Sequence, residues 1–144
     1  MIRVLVADDQ RLQRLAFRML VEREPGMAVA GEAGDGAAAV RLTAGLRPDV
    51  VVMDARMPGM DGIEATRSIR AMAGEVAQVP ILGVSAENIP EVREQCLSAG
   101  MDAMLTKPIG HEALRNTLAA LARCRSASGS ATLVGLSLTQ KNKR

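Results

Sequence analysis

Five times along its length this chain passes from a short apolar run to a helical pattern, and that alternation leaves few folds open. Ile2 to Ala7 is a compact β-type run that ends at the acidic pair Asp8 and Asp9. From Gln10 to Glu24, Leu12, Leu15, Ala16, Met19 and Leu20 recur on one helical face, and Pro25-Gly26 stops the pattern. Met27 to Ala33 reads as a second, more exposed strand, and Gly36 to Leu46 as a helix through Ala37, Val40, Leu42 and Ala44. The run Val50-Val51-Val52-Met53 is apolar without alternation, as expected of a central parallel strand buried on both faces. A loop with Pro58, Gly59 and Gly62 follows, then a helix through Ile63, Ala65, Thr66, Ile69 and Met72. Pro80 to Val84 gives a fourth strand, and Ile89 to Ala99 a helix that Gly100 is suited to cap. Ala103 to Leu105 gives a short fifth strand, and Glu112 to Leu121 the last helix.

Such βα repetition predicts an α/β fold with a parallel sheet and helices on both faces. Right-handed crossovers reduce the topologies to a handful. The expectation is a flavodoxin-like (βα)5 doubly wound sheet of order 2-1-3-4-5, a single domain with its ligand site at the carboxyl ends of the central strands. Hydrophobic residues make up 48% of the 144, enough for one core, and the 24% of charged residues is ordinary for a globular chain. No apolar run approaches the roughly 20 residues of a membrane helix, and the N-terminal run breaks too early for a signal peptide. A cytoplasmic, soluble protein without membrane contact is the expectation.

The domain is expected over residues 1–123, with a flexible linker and basic tail over 124–144. Arg123 to Thr132 is rich in Ser, Ala and Gly, and Leu133 to Leu138 is only briefly apolar. Every acidic residue lies at or before Glu112, whereas Arg125, Lys141, Lys143 and Arg144 fall in the tail. Without those four charges the net +2 of the chain becomes −2. Spaced tail charges of this kind read as solvated, so direct nucleic-acid binding is not expected. Cys96 and Cys124 form no disulfide or zinc pattern, and His111 follows Gly110 at a helix start without ligand partners nearby in sequence.

Polar residues at the strand ends carry the chemistry. Asp8 and Asp9 end the first strand, Asp54 follows the third, Ser85 the fourth, and Lys107 comes just after the fifth. In a parallel sheet these ends share one edge. Taken singly, each has a duller explanation, because a strand-end Asp often caps a helix and a loop Lys is often solvated. Three gathered carboxylates, however, repel one another unless a cation compensates, and hard oxygen ligands suit Mg2+ (or Mn2+). A carboxylate can form an acyl phosphate when the incoming phosphoryl charge is neutralised. Lys107 then offers a positive charge and Ser85 a hydroxyl donor.

Over residues 1 to about 123 the chain resembles the receiver domain of bacterial response regulators. The likeness rests on Val6-Ala7-Asp8-Asp9, Met53-Asp54-Ala55-Arg56-Met57-Pro58-Gly59-Met60-Asp61-Gly62, Val84-Ser85-Ala86 and Thr106-Lys107-Pro108. The resemblance implies that Asp54 is the phosphoacceptor, loaded from a phosphohistidine. It implies that Asp9, Asp54 and the backbone carbonyl of Arg56 ligate magnesium, with Asp8 acting directly or through water, that Lys107 pairs with the phosphoryl group and that Ser85 moves toward it. The implied partners are a sensor histidine kinase or a histidine phosphotransfer domain. A phosphorylation-dependent homodimer through the fourth helix, fifth strand and fifth helix is also implied, as is a cis peptide at Lys107-Pro108. The stretch from Arg3 through Ile69 looks most like receivers of regulators with a helix-turn-helix output. Pro80 through Ile109 looks more like receivers attached to hybrid sensor kinases.

Two departures stand out. Met104 occupies the position where the family usually has a Tyr or Phe that swings inward on activation, which predicts a softer coupling to the output face. Arg56 and Glu87, two residues after Asp54 and Ser85, stand at positions that in the resembled family flank the phosphoryl site, and their opposite charges are able to pair across its mouth. No separate enzymatic activity is expected beyond the receiver's own phosphoryl transfer and autodephosphorylation. An Asp-nucleophile phosphatase would want a second Asp where Arg56 stands, a flavin site would want more than the single aromatic Phe17, and a degenerate receiver would lack some of the five site residues. A receiver portion of a truncated DNA-binding regulator stays open as the alternative.

Overall fold

A computed structural model describes residues 1–126. Its five strands are β1 (Ile2–Ala7), β2 (Met27–Ala33), β3 (Val50–Asp54), β4 (Ile81–Ser85) and β5 (Ala103–Thr106). The helices are α1 (Arg11–Glu22), α2 (Gly36–Leu46), α3 (Gly62–Arg70), α4 (Pro90–Ala99) and α5 (His111–Ser126), with a short 3-10 turn at Glu75–Gln78. All strand pairs are parallel and the order is β2-β1-β3-β4-β5, the flavodoxin-like arrangement expected from the βα alternation.

Strand residues alternate between two cores, which is why β3 and β4 read as unbroken apolar runs. Leu5, Val51, Met53, Ile81 and Met104 face one core with Ala39 of α2, Ala65 and Ile69 of α3, and Cys96 of α4. Val4, Val6, Val52, Leu82 and Leu105 face the other, with Phe17 and Val21 of α1 and Leu114, Leu118 and Leu121 of α5. The edge strand β2 is only partly buried along its middle, matching its mixed composition. Helix ends follow local chemistry: Asp61 and Glu64 form a reciprocal capping box at α3, and Gly100 closes α4 in the left-handed region at φ 119°.

Two expectations change. The domain boundary expected at Cys124 falls inside α5, which continues to Ser126 and keeps the Cys124 side chain buried. The expected linker and tail lie, from residue 127 on, outside the described residues. The second change concerns α1, where Leu12, Leu15 and Met19 of the apolar stripe are 77%, 50% and 61% exposed while Leu20 packs partly buried against the core. The helix instead buries Phe17 and Val21. Its rotation is held by Arg14, which donates to the Asp8 carbonyl (2.8 Å) and to Glu32 (3.2 Å), and by Arg18, which donates to Glu32 at 2.8 Å. A single aromatic ring plus three anchoring bonds outweighs a longer row of small gains from aliphatic burial. Among the described residues, no helix is long and apolar enough to cross a membrane.

Far from the strand carboxyl ends, Arg70 ties α3 to the opposite edge of the sheet. It donates to the carbonyls of Ala77 (2.8 Å), Val79 (2.7 Å) and Gly100 (2.8 and 3.0 Å), and to Asp102 at 3.0 Å. Asp102 in turn accepts from the Ile81 N–H at 2.8 Å. Sequence periodicity gives no signal for this staple, because its partners are mostly backbone carbonyls.

Candidate phosphoacceptor site

Parallel strands end together, so β1, β3, β4 and the turn after β5 deliver their polar residues to one crevice. Asp8 is fully buried, Asp54 and Ser85 nearly so, and Asp9 is exposed. One carboxylate oxygen from each of Asp8, Asp9 and Asp54 lies within 4.8 Å of the others. Lys107 extends into the same crevice, its Nζ 3.0 Å from Asp8 Oδ2 and 3.5 Å from Asp54 Oδ2. The Lys107-Pro108 peptide is cis, as the resemblance implies.

The backbone holds these groups from behind. Ala55 N–H donates to the Val84 carbonyl at 2.8 Å and Lys107 N–H to the Ser85 carbonyl at 2.8 Å, fixing the three strand ends relative to one another. Asp8 Oδ1 accepts from the Gln10 N–H at 2.9 Å, and Asp54 Oδ1 from the Arg56 N–H at 3.4 Å. Gly62 opens α3 directly against Asp54, where any Cβ would collide with the Asp54 backbone carbonyl. Only glycine lets the loop return so closely over the site.

Electrostatically the crevice sets three carboxylates against the one Lys107 ammonium, an excess of negative charge. The Asp54 carboxyl is pushed up from 3.8 to about 6, first by burial and next by the neighbouring Asp8 charge. The Lys107 ammonium and the Arg56 N–H pull the other way without cancelling the rise. Lys107 lies nearer Asp8, so its charge is largely spent there. The donor set is three hard carboxylates, two of them buried, with uncompensated charge, and it fits an octahedral oxygen-preferring divalent cation.

At the mouth, Arg56 Nη2 lies 2.7 Å from Glu87 Oε1, with side chains 69% and 41% exposed. Ser85 Oγ accepts from the Glu87 N–H and donates to the Glu87 carbonyl, both at 3.0 Å, so its hydroxyl is engaged in its own turn. Met104 is buried on the sheet face that also carries Met53. Beside the carboxylates, an open cleft of about 370 Å3 is lined by Asp9, Arg56, Met57, Pro58 and Asp61. A second, more apolar groove of about 480 Å3 runs between α1 and the turn after β5, past Ala16, Phe17, Leu20, Lys107, Pro108 and Ile109. All five strand-end residues singled out in the sequence thus meet at one edge.

The remaining candidates do other work. His111 Nε2 sits 2.8 Å from Glu24 Oε2, bridging the start of α5 to the turn after α1, a partner that sequence spacing does not reveal. Cys96 is buried, and its thiol is pushed up to about 11 by burial and by the Asp61 charge, which leaves it inert. Cys124 is buried as well.

A doubly wound parallel sheet here gathers buried aspartates, a lysine and a serine at its switch-point edge, a site chemically suited to a divalent cation and a phosphoryl group. Residues 4–119 match the response regulator receiver domain model, and the chain belongs to that family. A Myxococcus xanthus protein-glutamate methylesterase/protein-glutamine glutaminase is 38% identical over 133 residues, covering 86% of this chain but only 37% of that protein. The rice two-component response regulator ORR41 is 39% identical over 121 residues, 83% of this chain and 93% of its own length. Among solved structures, the receiver domain of the Pseudomonas aeruginosa sensor histidine kinase PA1611, with magnesium coordinated in its active-site cleft, superposes at a TM-score of 0.77. It is 32% identical and covers 85% of this chain and 98% of that one. The chain thus spans about a third of one relative and nearly all of another.

Proposed function

We propose that this receiver takes a phosphoryl group from a phosphohistidine onto Asp54 and thereby switches protein–protein contacts in a two-component phosphorelay. The observation that carries the reading is the Asp8–Lys107–Asp54 cluster at adjoining strand ends, 3.0 and 3.5 Å across its two contacts. An Asp54 carboxylate oxygen attacks phosphorus, the P–N bond breaks with its electron pair going to the imidazole, and a proton from solvent completes the neutral histidine. The attack needs Asp54 ionised, and the cation this site would hold favours that form against the rise that burial and Asp8 impose. Lys107 meets a phosphoryl oxygen as a point charge, and Ser85 leaves its turn with Glu87 to donate to another.

Asp8, Asp9, Asp54 and the backbone carbonyl of Arg56 would hold Mg2+ (or Mn2+). When bound, the cation supplies the charge that offsets three carboxylates and the incoming phosphoryl group. The magnesium in the PA1611 receiver supports this assignment.

The partner is a sensor histidine kinase or a histidine phosphotransfer domain, and the exposed Leu12–Leu15–Met19 stripe of α1 beside the Lys107 groove is suited to receive its helices. A homodimer through α4, β5 and α5 is a further expectation for the phosphorylated state. The role is cytoplasmic signalling without direct nucleic-acid contact. A second reading, a receiver that forms one part of a longer regulator, is favoured by the 37% coverage of the Myxococcus protein. An Asp-nucleophile phosphatase is disfavoured, because Arg56 at the general-acid position is turned to Glu87.

Incubation with magnesium and acetyl phosphate, resolved on a phosphate-affinity gel, tests the core of the proposal. A shifted band that disappears in Asp54→Asn is expected. An unshifted wild type, or a shift that survives in the variant, would overturn the assignment.

A further inference from the structure

The sheet face toward α3 and α4 is packed with thioethers rather than rings. Met53, Met57, Met101 and Met104 are buried there beside Cys96, while the chain's one aromatic, Phe17, lies in the opposite core. At the centre of this face β4 carries Gly83, a buried glycine in a strand interior. Glycine weakens a strand and marks a point of close approach. Here the approaching groups are two: a Cβ at Gly83 would overlap both Met101 Sδ and Met104 Sδ, and would lie 3.3 Å from Met104 Cε. Two methionine sulfurs therefore share the space of one missing side chain.

The two thioethers come from different elements. Met104 belongs to β5 and is the cross-strand partner of Gly83. Met101 stands in the turn that closes α4, its N–H bonded to the Cys96 carbonyl at 3.1 Å. Ser85 lies two residues beyond Gly83, on the same strand face, and pairs across to Thr106. The niche thus sits directly behind Ser85 and joins the end of α4 to β5.

We infer that Gly83, Met101 and Met104 form a shared niche in which the two thioethers move as a coupled pair, linking the Ser85 end of β4 to α4 and β5. If Met104 withdraws, the flexible Met101 slides over Gly83 and closes the space, so no cavity opposes the motion. Gly83 and Met101 are positioning residues for the switch, and neither touches the phosphoryl group. The inference rests on the reading of Ser85 as the group that moves on phosphorylation.

Methionine methyl NMR with 13Cε-labelled protein tests it, with magnesium and beryllofluoride as the phosphoryl mimic. In the wild type the Met101 and Met104 methyl signals are expected to shift together, with one common exchange rate. In Gly83→Ala, without the mimic, one of the two methyls is expected to become accessible to a soluble paramagnetic agent. In Met101→Ala, the slack is expected to abolish the response of Met104 to the mimic while the Asp54 and Ser85 amides still respond. A Met104 shift with Met101 unmoved, or both methyls staying buried in a folded Gly83→Ala, overturns the niche. If the Asp54 and Ser85 amides ignore the mimic in the wild type, it is the phosphoacceptor reading that fails, and burial in Gly83→Ala still decides the niche.

Discussion

Replacing Asp54 with Asn should make the protein more stable at neutral pH. In the folded chain the Asp54 carboxyl is raised from 3.8 to about 6 by burial and by Asp8, with Lys107 spread over both carboxylates. The folded state therefore holds this proton more tightly than the unfolded state, and ionisation costs stability. The cost is absent below about pH 3.8, grows as pH rises toward about 6, and is constant above that. Its ceiling is about 3 kcal/mol, and solvent at the crevice mouth brings the expectation to about 1–3 kcal/mol. Asn keeps the shape and the Arg56 N–H bond without the charge. Urea unfolding in EDTA at pH 7.5 should then show Asp54→Asn more stable by that amount, with the gap shrinking to about 1 kcal/mol or less at pH 4.5. Added Mg2+ should stabilise the wild type more than the variant. A variant no more stable than wild type at pH 7.5 would refute the account of a surplus charge in the crevice.

Other perturbations separate the parts of the molecule. Lys107→Ala should slow labelling by acetyl phosphate about 100-fold, read as initial rates on a phosphate-affinity gel, because it removes the side-chain cation from the crevice. Arg56→Ala opens the mouth by breaking the pair with Glu87 and should shorten the lifetime of phospho-Asp54 by a factor of up to about 5, the worth of an exposed ion pair; an unchanged dephosphorylation rate would remove the pair as a gate. Arg70→Leu should lose about 3–5 kcal/mol in chemical denaturation by stranding Asp102 and three carbonyl acceptors, with Asp102→Asn losing less because the Ile81 N–H bond can persist. Leu15→Glu, at an exposed site on α1, should leave stability within about 0.5 kcal/mol and leave acetyl phosphate labelling intact, while slowing transfer from a phosphorylated histidine partner.

The strand-end residues are legible in the sequence because a parallel sheet turns sequence order into spatial convergence. With β1, β3, β4 and β5 read from their apolar runs, Asp8, Asp9, Asp54, Ser85 and Lys107 have one edge to share. The topology follows for the same reason, since short βα units and a fixed crossover hand leave little freedom. The rotation of α1 is not legible. Leu12, Leu15 and Met19 of its apolar stripe face solvent because Phe17 and the Arg14 and Arg18 bonds to Asp8 and Glu32 set the orientation, and those partners lie on other elements. The end of α5 escapes sequence reading because the helix carries on through residues whose composition resembles a linker.

Local chemistry in the chain thus determined the elements, their order and the identity of the acidic site. Only the tertiary structure decided how that site is tuned. It put Asp8 close enough to raise Asp54, gave Lys107 more to Asp8 than to Asp54, and closed Arg56 onto Glu87. It also set two methionine sulfurs over Gly83, a meeting of β4, β5 and the turn after α4 that no linear pattern encodes. The physical reason is range: periodicity and capping act within a few residues, whereas charge, burial and packing act across whatever the fold brings within a few ångströms.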